Sequence, residues 1–131
     1  MSESNLYVNK VTANNISSRF YSLTNSNLTI SNSTHKDYKF DKEGGLLLVN
    51  PGNVVIKDTF IYDGVSASGQ IYASGFTSNV EIINTVFSGN KATVNSAILF
   101  SITNLNGSIS IQDSQILDSL SEANIVSLTD T

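Results

Sequence analysis

Cysteine and tryptophan are absent from this chain, proline occurs once, and charged residues fill only 14% of its 131 positions. Without cysteine there is no disulfide scaffold, no thiolate metal site and no cysteine nucleophile. Seven Lys and Arg against eleven Asp and Glu leave a net charge of -4. That is the wrong sign for nucleic acid, whose binders displace counterions with a basic face. No apolar run approaches the roughly 18 residues of a membrane-spanning helix, so no membrane insertion is expected. Met1-Ser2-Glu3-Ser4 carries neither a basic stretch nor an apolar one, so no secretory leader is visible there.

In place of charge the chain has amides and hydroxyls: 16 Asn, 21 Ser and 11 Thr, together 48 of 131 residues. Their arrangement is periodic. Asn5-Leu-Tyr-Val-Asn-Lys-Val, Asn27-Leu-Thr-Ile-Ser-Asn-Ser, Asn53-Val-Val-Ile-Lys-Asp-Thr, Asn79-Val-Glu-Ile-Ile-Asn-Thr and Ser108-Ile-Ser-Ile-Gln-Asp-Ser begin 22, 26, 26 and 29 residues apart. A period of this length is one turn of a solenoid, too short for a domain. Inside each copy the alternation has period two and reads as a short strand. Leu6, Leu28, Val54, Val80 and Ile109 point one way, joined by Val8, Ile30, Ile56, Ile82 and Ile111. Tyr7, Thr29, Val55, Glu81 and Ser110 face out between them.

A second apolar segment follows in every repeat: Phe20 to Leu23, Leu46 to Val49, Ile71 to Ala73, Ile98 to Ile102 and Ile125 to Leu128. Weaker apolar positions, Ile16, Phe60, Phe87 and Ile116, lie between. Asn, Ser, Thr and β-branched residues are poor helix formers. The spacing therefore predicts an all-β fold, a right-handed single-stranded parallel β-helix, with the hand taken from the rule for parallel crossovers. It forms one domain over 1–131, with about five coils of 22–29 residues at about 5–26, 27–52, 53–78, 79–107 and 108–131. No caps are evident, so a slice of a longer solenoid or a stacking filament unit is expected. Asn32, Asp58, Asn84 and Asp113 form a structural corner row, because Asn and Asp tolerate the left-handed backbone a corner needs. Ser33, Thr59, Thr85 and Ser114 lie beside it.

Val80 to Asn90 and Asn95 to Phe100 contain Phe87-Ser-Gly-Asn90 and Asn95-Ser-Ala-Ile, with Phe60-Ile-Tyr-Asp63 and Gly44-Gly-Leu-Leu earlier. This style resembles the Phe-x-x-Asn and Gly-Gly-Ala-Ile repeats of polymorphic outer membrane proteins and related protist surface proteins. The resemblance implies a pectin-lyase-type β-helix at a cell surface, as adhesin, stalk or passenger. It transfers no catalytic residues.

Chemistry is sparse. Asp58 and Asp113 lie two coils apart in one row, about 9 to 10 Å, a spacing compatible with an inverting hydrolase, but the corner already accounts for both. His35 is the sole histidine, so no metal pair forms, and it is expected in an exposed loop. It opens the one charge-dense stretch, from which His35, Lys36, Tyr38, Lys39 and Phe40 form a possible contact loop with aromatic anchors. Four glycosylation sequons occur, at Asn15, Asn27, Asn32 and Asn106. They are of use only in a eukaryotic secretory pathway, and Asn15 and Asn106 look the more accessible. No catalytic residue, metal or cofactor is expected.

The expected function is a non-catalytic structural β-helix of an extracellular fibre, stalk or adhesin. Its partners are itself, stacked head to tail, or flanking coils, with glycans as a further class. A carbohydrate-binding or glycan-degrading β-helix is the alternative, and a cytoplasmic scaffold solenoid a third reading.

Overall fold

Alternating apolar and polar residues place every second side chain on one face of a strand, and the 22–29-residue spacing brings equivalent strands side by side. A computed structural model describes residues 4–17, 20–42, 46–49, 52–67, 70–74, 78–92, 97–103, 108–117 and 124–129. Seventeen strands occur among them. The first coils hold β1 (Ser4–Asn9), β2 (Thr12–Ala13), β3 (Tyr21–Leu23), β4 (Ser26–Ser31), β5 (Thr34–Lys36) and β6 (Leu47–Val49). Next come β7 (Gly52–Lys57), β8 (Phe60–Tyr62), β9 (Val65–Ser66), β10 (Ile71–Ser74), β11 (Ser78–Ile83), β12 (Val86–Ser88) and β13 (Lys91–Ala92). The last are β14 (Ala97–Thr103), β15 (Ser108–Gln112), β16 (Gln115–Leu117) and β17 (Asn124–Thr129).

The strands form three five-stranded walls, β1-β4-β7-β11-β15, β2-β5-β8-β12-β16 and β3-β6-β10-β14-β17, with a two-stranded patch of β9 and β13. Every pair is parallel. This is a parallel β-solenoid in which the chain winds from wall to wall and returns one coil higher. With five strands in each wall, three turns have a coil on both sides and two lie outermost.

The register on the first wall is the one the repeat pattern demands. Leu6, Leu28, Val54, Val80 and Ile109 align, as do Val8, Ile30, Ile56, Ile82 and Ile111. Leu28, Ile30, Val54, Ile56, Val80 and Ile82 are fully buried and meet Ile61, Phe87, Leu46, Leu47 and Ile71 from the other walls. Each such side chain contributes about 1.5 to 3 kcal/mol by leaving water. Protection fades at the outer coils, where Leu6 is 46% and Ile111 41% exposed.

The corner row has the predicted geometry. Asn32, Asp58, Asn84 and Asp113 have φ of 50, 51, 46 and 50°, and Lys10 holds the same place in the first coil with φ 56°. A second left-handed row, not anticipated, follows five residues later at Asn15, Asp37, Asp63 and Gly89, with φ of 55, 51, 55 and 66°.

This second corner corrects one motif alignment. Phe87 pairs with Ile61 and Val86 with Phe60. Phe60-Ile-Tyr-Asp63 and Phe87-Ser-Gly-Asn90 are thus one residue out of step. Both coils leave the first corner at the same pleat phase, so Ile61 and Phe87 turn inward while Phe60 is 53% exposed. Gly89 stands level with Asp63, whose Oδ1 lies 2.5 Å from where a Gly89 Cβ would be.

Candidate functional site

Two sets of polar residues carry the chemistry of this molecule: rows along the outside of the coil and a cluster inside it. The outer rows begin with amides. Asn27 Nδ2 donates to Asn5 Oδ1 at 2.9 Å and Asn79 Nδ2 to Asn53 Oδ1 at 2.8 Å, while Asn79 Oδ1 accepts from the Ser108 amide at 3.0 Å. At the corner, Asn32 Nδ2 donates to Asn9 Oδ1 at 3.2 Å and Asn84 Nδ2 to Asp58 Oδ1 at 2.7 Å. The neighbouring hydroxyls close the turns. Ser33, Thr59, Thr85 and Ser114 each donate to the carbonyl two residues earlier, at 2.8, 2.8, 2.9 and 2.8 Å. Parallel stacking puts like residues on like, so one residue type repeated at the coil period becomes a continuous ladder.

Of the two row carboxylates, Asp58 accepts the Asn84 amide and stays exposed. Among the described residues no group of three or more His, Cys, Asp and Glu is placed to hold a metal ion. A groove of about 280 Å³ on the first wall is lined by Asn53, Val55, Asn79, Glu81, Ser108 and Ser110, among others. Glu81 is its only carboxylate, and the Asn79 amide is engaged in the ladder.

The inner cluster overturns two expectations. His35 is not in an exposed loop: it lies on β5 and is fully buried. Its side chain enters the inward row Ala13, His35, Ile61, Phe87, Ile116. Tyr38 is not a surface anchor either, being 1% exposed. The charge-dense stretch stays within the coil because the left-handed corner at Asp37 resets the alternation, so His35 before it and Tyr38 after it both turn inward while Lys36, Asp37 and Lys39 stay outside. Parallel bridges join Ile16 to Tyr38 and Lys39 to Val65. Lys36 places its ammonium 5.8 Å from the Tyr62 ring centroid, Lys39 is exposed, and Phe40 is half-buried.

Aromatic packing and hydrogen bonds hold this cluster. Phe20 meets His35 and Tyr38 edge-on, with centroids 5.0 and 5.2 Å apart. Tyr21 Oη lies 2.7 Å from His35 Nε2. Tyr38 Oη donates to Gln70 Oε1 at 2.7 Å, and Gln70 Nε2 donates to the Lys91 carbonyl at 3.3 Å. One coil above Tyr38 sits Gly64, where a Cβ would lie 2.1 Å from Tyr38 Cζ, so only glycine leaves room for the ring. One coil further, Asn90 is buried, accepts from the Gly64 amide at 3.0 Å and donates to the Ile61 carbonyl at 3.1 Å.

His35 Nδ1 is buried without a partner. Loss of solvation lowers the His35 pKa from 6.5 to about 4, because a second ring N–H would be stranded in the core. Burial also pushes the Tyr21 hydroxyl up to about 12 and raises that of Tyr38. Neutral and sealed from solvent, His35 packs the core and cannot act on a solute.

Of the sequons, Asn15 is exposed at its left-handed corner. Asn27 and Asn32 spend their amides on the ladder, and Asn106 lies outside the described residues. Sequence reasoning missed His35, Tyr38, Gly64, Gln70 and Asn90 as core residues. The second left-handed row did leave a signal: Asn15, Asp37, Asp63 and Gly89 each follow a corner residue by five positions.

Among the described residues no helix is long and apolar enough to cross a membrane. No protein-family model matches this chain, no curated protein matches it, and no solved structure matches it. The class defined here is thus that of the fold alone, a parallel β-solenoid.

Proposed function

We propose that this chain is a non-catalytic structural β-helix of an extracellular fibre, stalk or adhesin, extended by stacking through its coil edges. What carries the reading is how the polar residues are used. Most of the Asn, Ser and Thr side chains with assigned bonds join one coil to the next or close their own turn. Meanwhile the outer coils leave the inward-row residues Leu6 and Ile111 46 and 41% exposed. Such edges offer strand hydrogen bonds and apolar surface to another coil. The surface location draws on the repeat style, and Asn15 is the best placed acceptor for a glycan. A glycan-binding reading draws on the groove beside Glu81, whose lining contains no aromatic ring.

Electron microscopy of the native material, with intact-mass analysis of the same sample, tests this. Fibres with an axial repeat of about 24 Å, five coils at about 4.8 Å each, are expected, with added hexose mass if the chain is secreted by a eukaryote. Compact monomers at every concentration, together with cleavage of an acidic polysaccharide, would overturn the reading.

A further inference from the structure

We propose that the open edges take a second copy of this chain in continuous register, with Lys10 of the upper copy set over Asp113 of the copy beneath. The inference rests on the end-to-end reading and adds to it the identity of the occupant and the residues that select it.

The backbone supplies the register. At the first corner each coil donates upward at one step: Lys10 N–H to Ser31 O at 3.2 Å, Asn32 to Lys57 at 3.3 Å, Asp58 to Ile83 at 3.1 Å and Asn84 to Gln112 at 2.9 Å. The series stops at the Asp113 N–H on one edge and begins above the Asn9 carbonyl on the other. Two residues on, the sense reverses: Thr34 donates down to Val11 at 2.8 Å, Phe60 to Ser33 at 3.0 Å, Val86 to Thr59 at 3.0 Å and Gln115 to Thr85 at 3.0 Å. This series leaves the Ser114 carbonyl on one edge and the Thr12 N–H on the other. Set one copy upon another, and Asp113 donates to Asn9 while Thr12 donates to Ser114. The same register brings Leu6 over Ile109 and Val8 over Ile111, apolar upon apolar, as inside the molecule.

Any parallel strand edge offers a backbone ladder, so the occupant is chosen by side chains. The first corner row reads Lys10, Asn32, Asp58, Asn84, Asp113. Within it an acid always has an amide for a neighbour, as in the Asn84–Asp58 bond of 2.7 Å, and two carboxylates never adjoin. Lys10 is the one departure from the Asn/Asp pattern and the one residue of opposite charge. Its place in the row is where a second copy meets Asp113. Stacked coils are about 4.8 Å apart, so the two exposed side chains come within ion-pair reach across the junction. The amide row continues as well, with Asn5 of the upper copy over Ser108 of the lower. Val11, however, stands where the Ser/Thr row has a hydroxyl, so the junction has one side-chain acceptor fewer than an interior step. That makes it the weakest step of the stack.

Charge exchange tests the contact. Wild type, Lys10→Asp, Asp113→Lys and the double exchange are compared for assembly by sedimentation and light scattering at low and physiological salt. Asp and Lys both already occupy left-handed corner positions in this chain, and urea unfolding of the dispersed variants checks that the coil is intact. Each single variant, which sets like charge on like, should raise the critical concentration roughly three- to tenfold, with the difference shrinking as salt rises. An equal mixture of the two single variants, and the double exchange, should assemble like wild type. If both single variants assemble like wild type, this register is wrong while end-to-end stacking stands. If wild type never assembles, the stacking reading and this one fall together.

Discussion

The buried histidine makes the folding of this protein sensitive to mild acid, and one substitution should remove the effect. His35 is the chain's only histidine. In the unfolded chain it takes up a proton near its ordinary value of 6.5, whereas in the fold its pKa is about 4. Between those values the unfolded state binds more protons. The stability contributed by the neutral ring is therefore complete above 6.5 and drains away as pH falls toward about 4. Linkage arithmetic puts the loss between pH 7 and pH 5 at about 2 kcal/mol, or about 7 °C in Tm for a chain of this length. His35→Ile supplies an apolar side chain of similar bulk to a row that already holds Ile61, Phe87 and Ile116. It also removes the orphaned Nδ1, and the half-buried Tyr21 hydroxyl can turn to water. The Asp and Glu residues common to both proteins cancel in the comparison. Urea unfolding at a series of pH values should show wild type losing about 2 kcal/mol more than the variant from pH 7 to pH 5. The single set of imidazole NMR resonances should stay at its neutral position down to about pH 5. Parallel declines of wild type and variant, or an imidazole that titrates near 6.5, would refute the argument.

Three further outcomes follow from the rows and the core. Gly64→Ala should cost about 3 kcal/mol by urea titration, because the new methyl collides with a Tyr38 ring that is buried and bonded to Gln70. Tyr38→Phe should cost about 1 to 3 kcal/mol, since it leaves the buried Gln70 Oε1 without its donor. At the left-handed corner, Asn84→Ala should destabilise by about 2 kcal/mol and Asn84→Gly by clearly less, with both losing the bond to Asp58. Equal losses would show that the side chain matters there and the backbone conformation does not.

The fold was legible because a solenoid writes its tertiary contacts into its sequence. Residues that stack are one repeat apart, so the Leu28-Val54-Val80 row and the Asn32-Asp58-Asn84 corner repeat in the chain as they do in space. The interior cluster was illegible for the complementary reason. Tyr21 and His35 come from different walls, Tyr38 and Gln70 from separate segments outside the wall strands, and no period relates them. A histidine among lysines and aspartates reads as surface until pleat phase is known. That phase is set one corner earlier, by the left-handed residue at Asn32.

By itself, then, the sequence determined the period, the parallel stacking, the inward apolar rows and the first corner, since each depends on residues one coil apart or on alternation within a strand. Only the tertiary structure decided that His35, Tyr38, Gln70 and Asn90 belong to the interior and that Gly64 yields its space to a ring. It alone brought Phe87 level with Ile61 in place of Phe60. Those facts depend on where the chain crosses the bore of the coil, and a side chain meets the opposite wall only once the coil has closed.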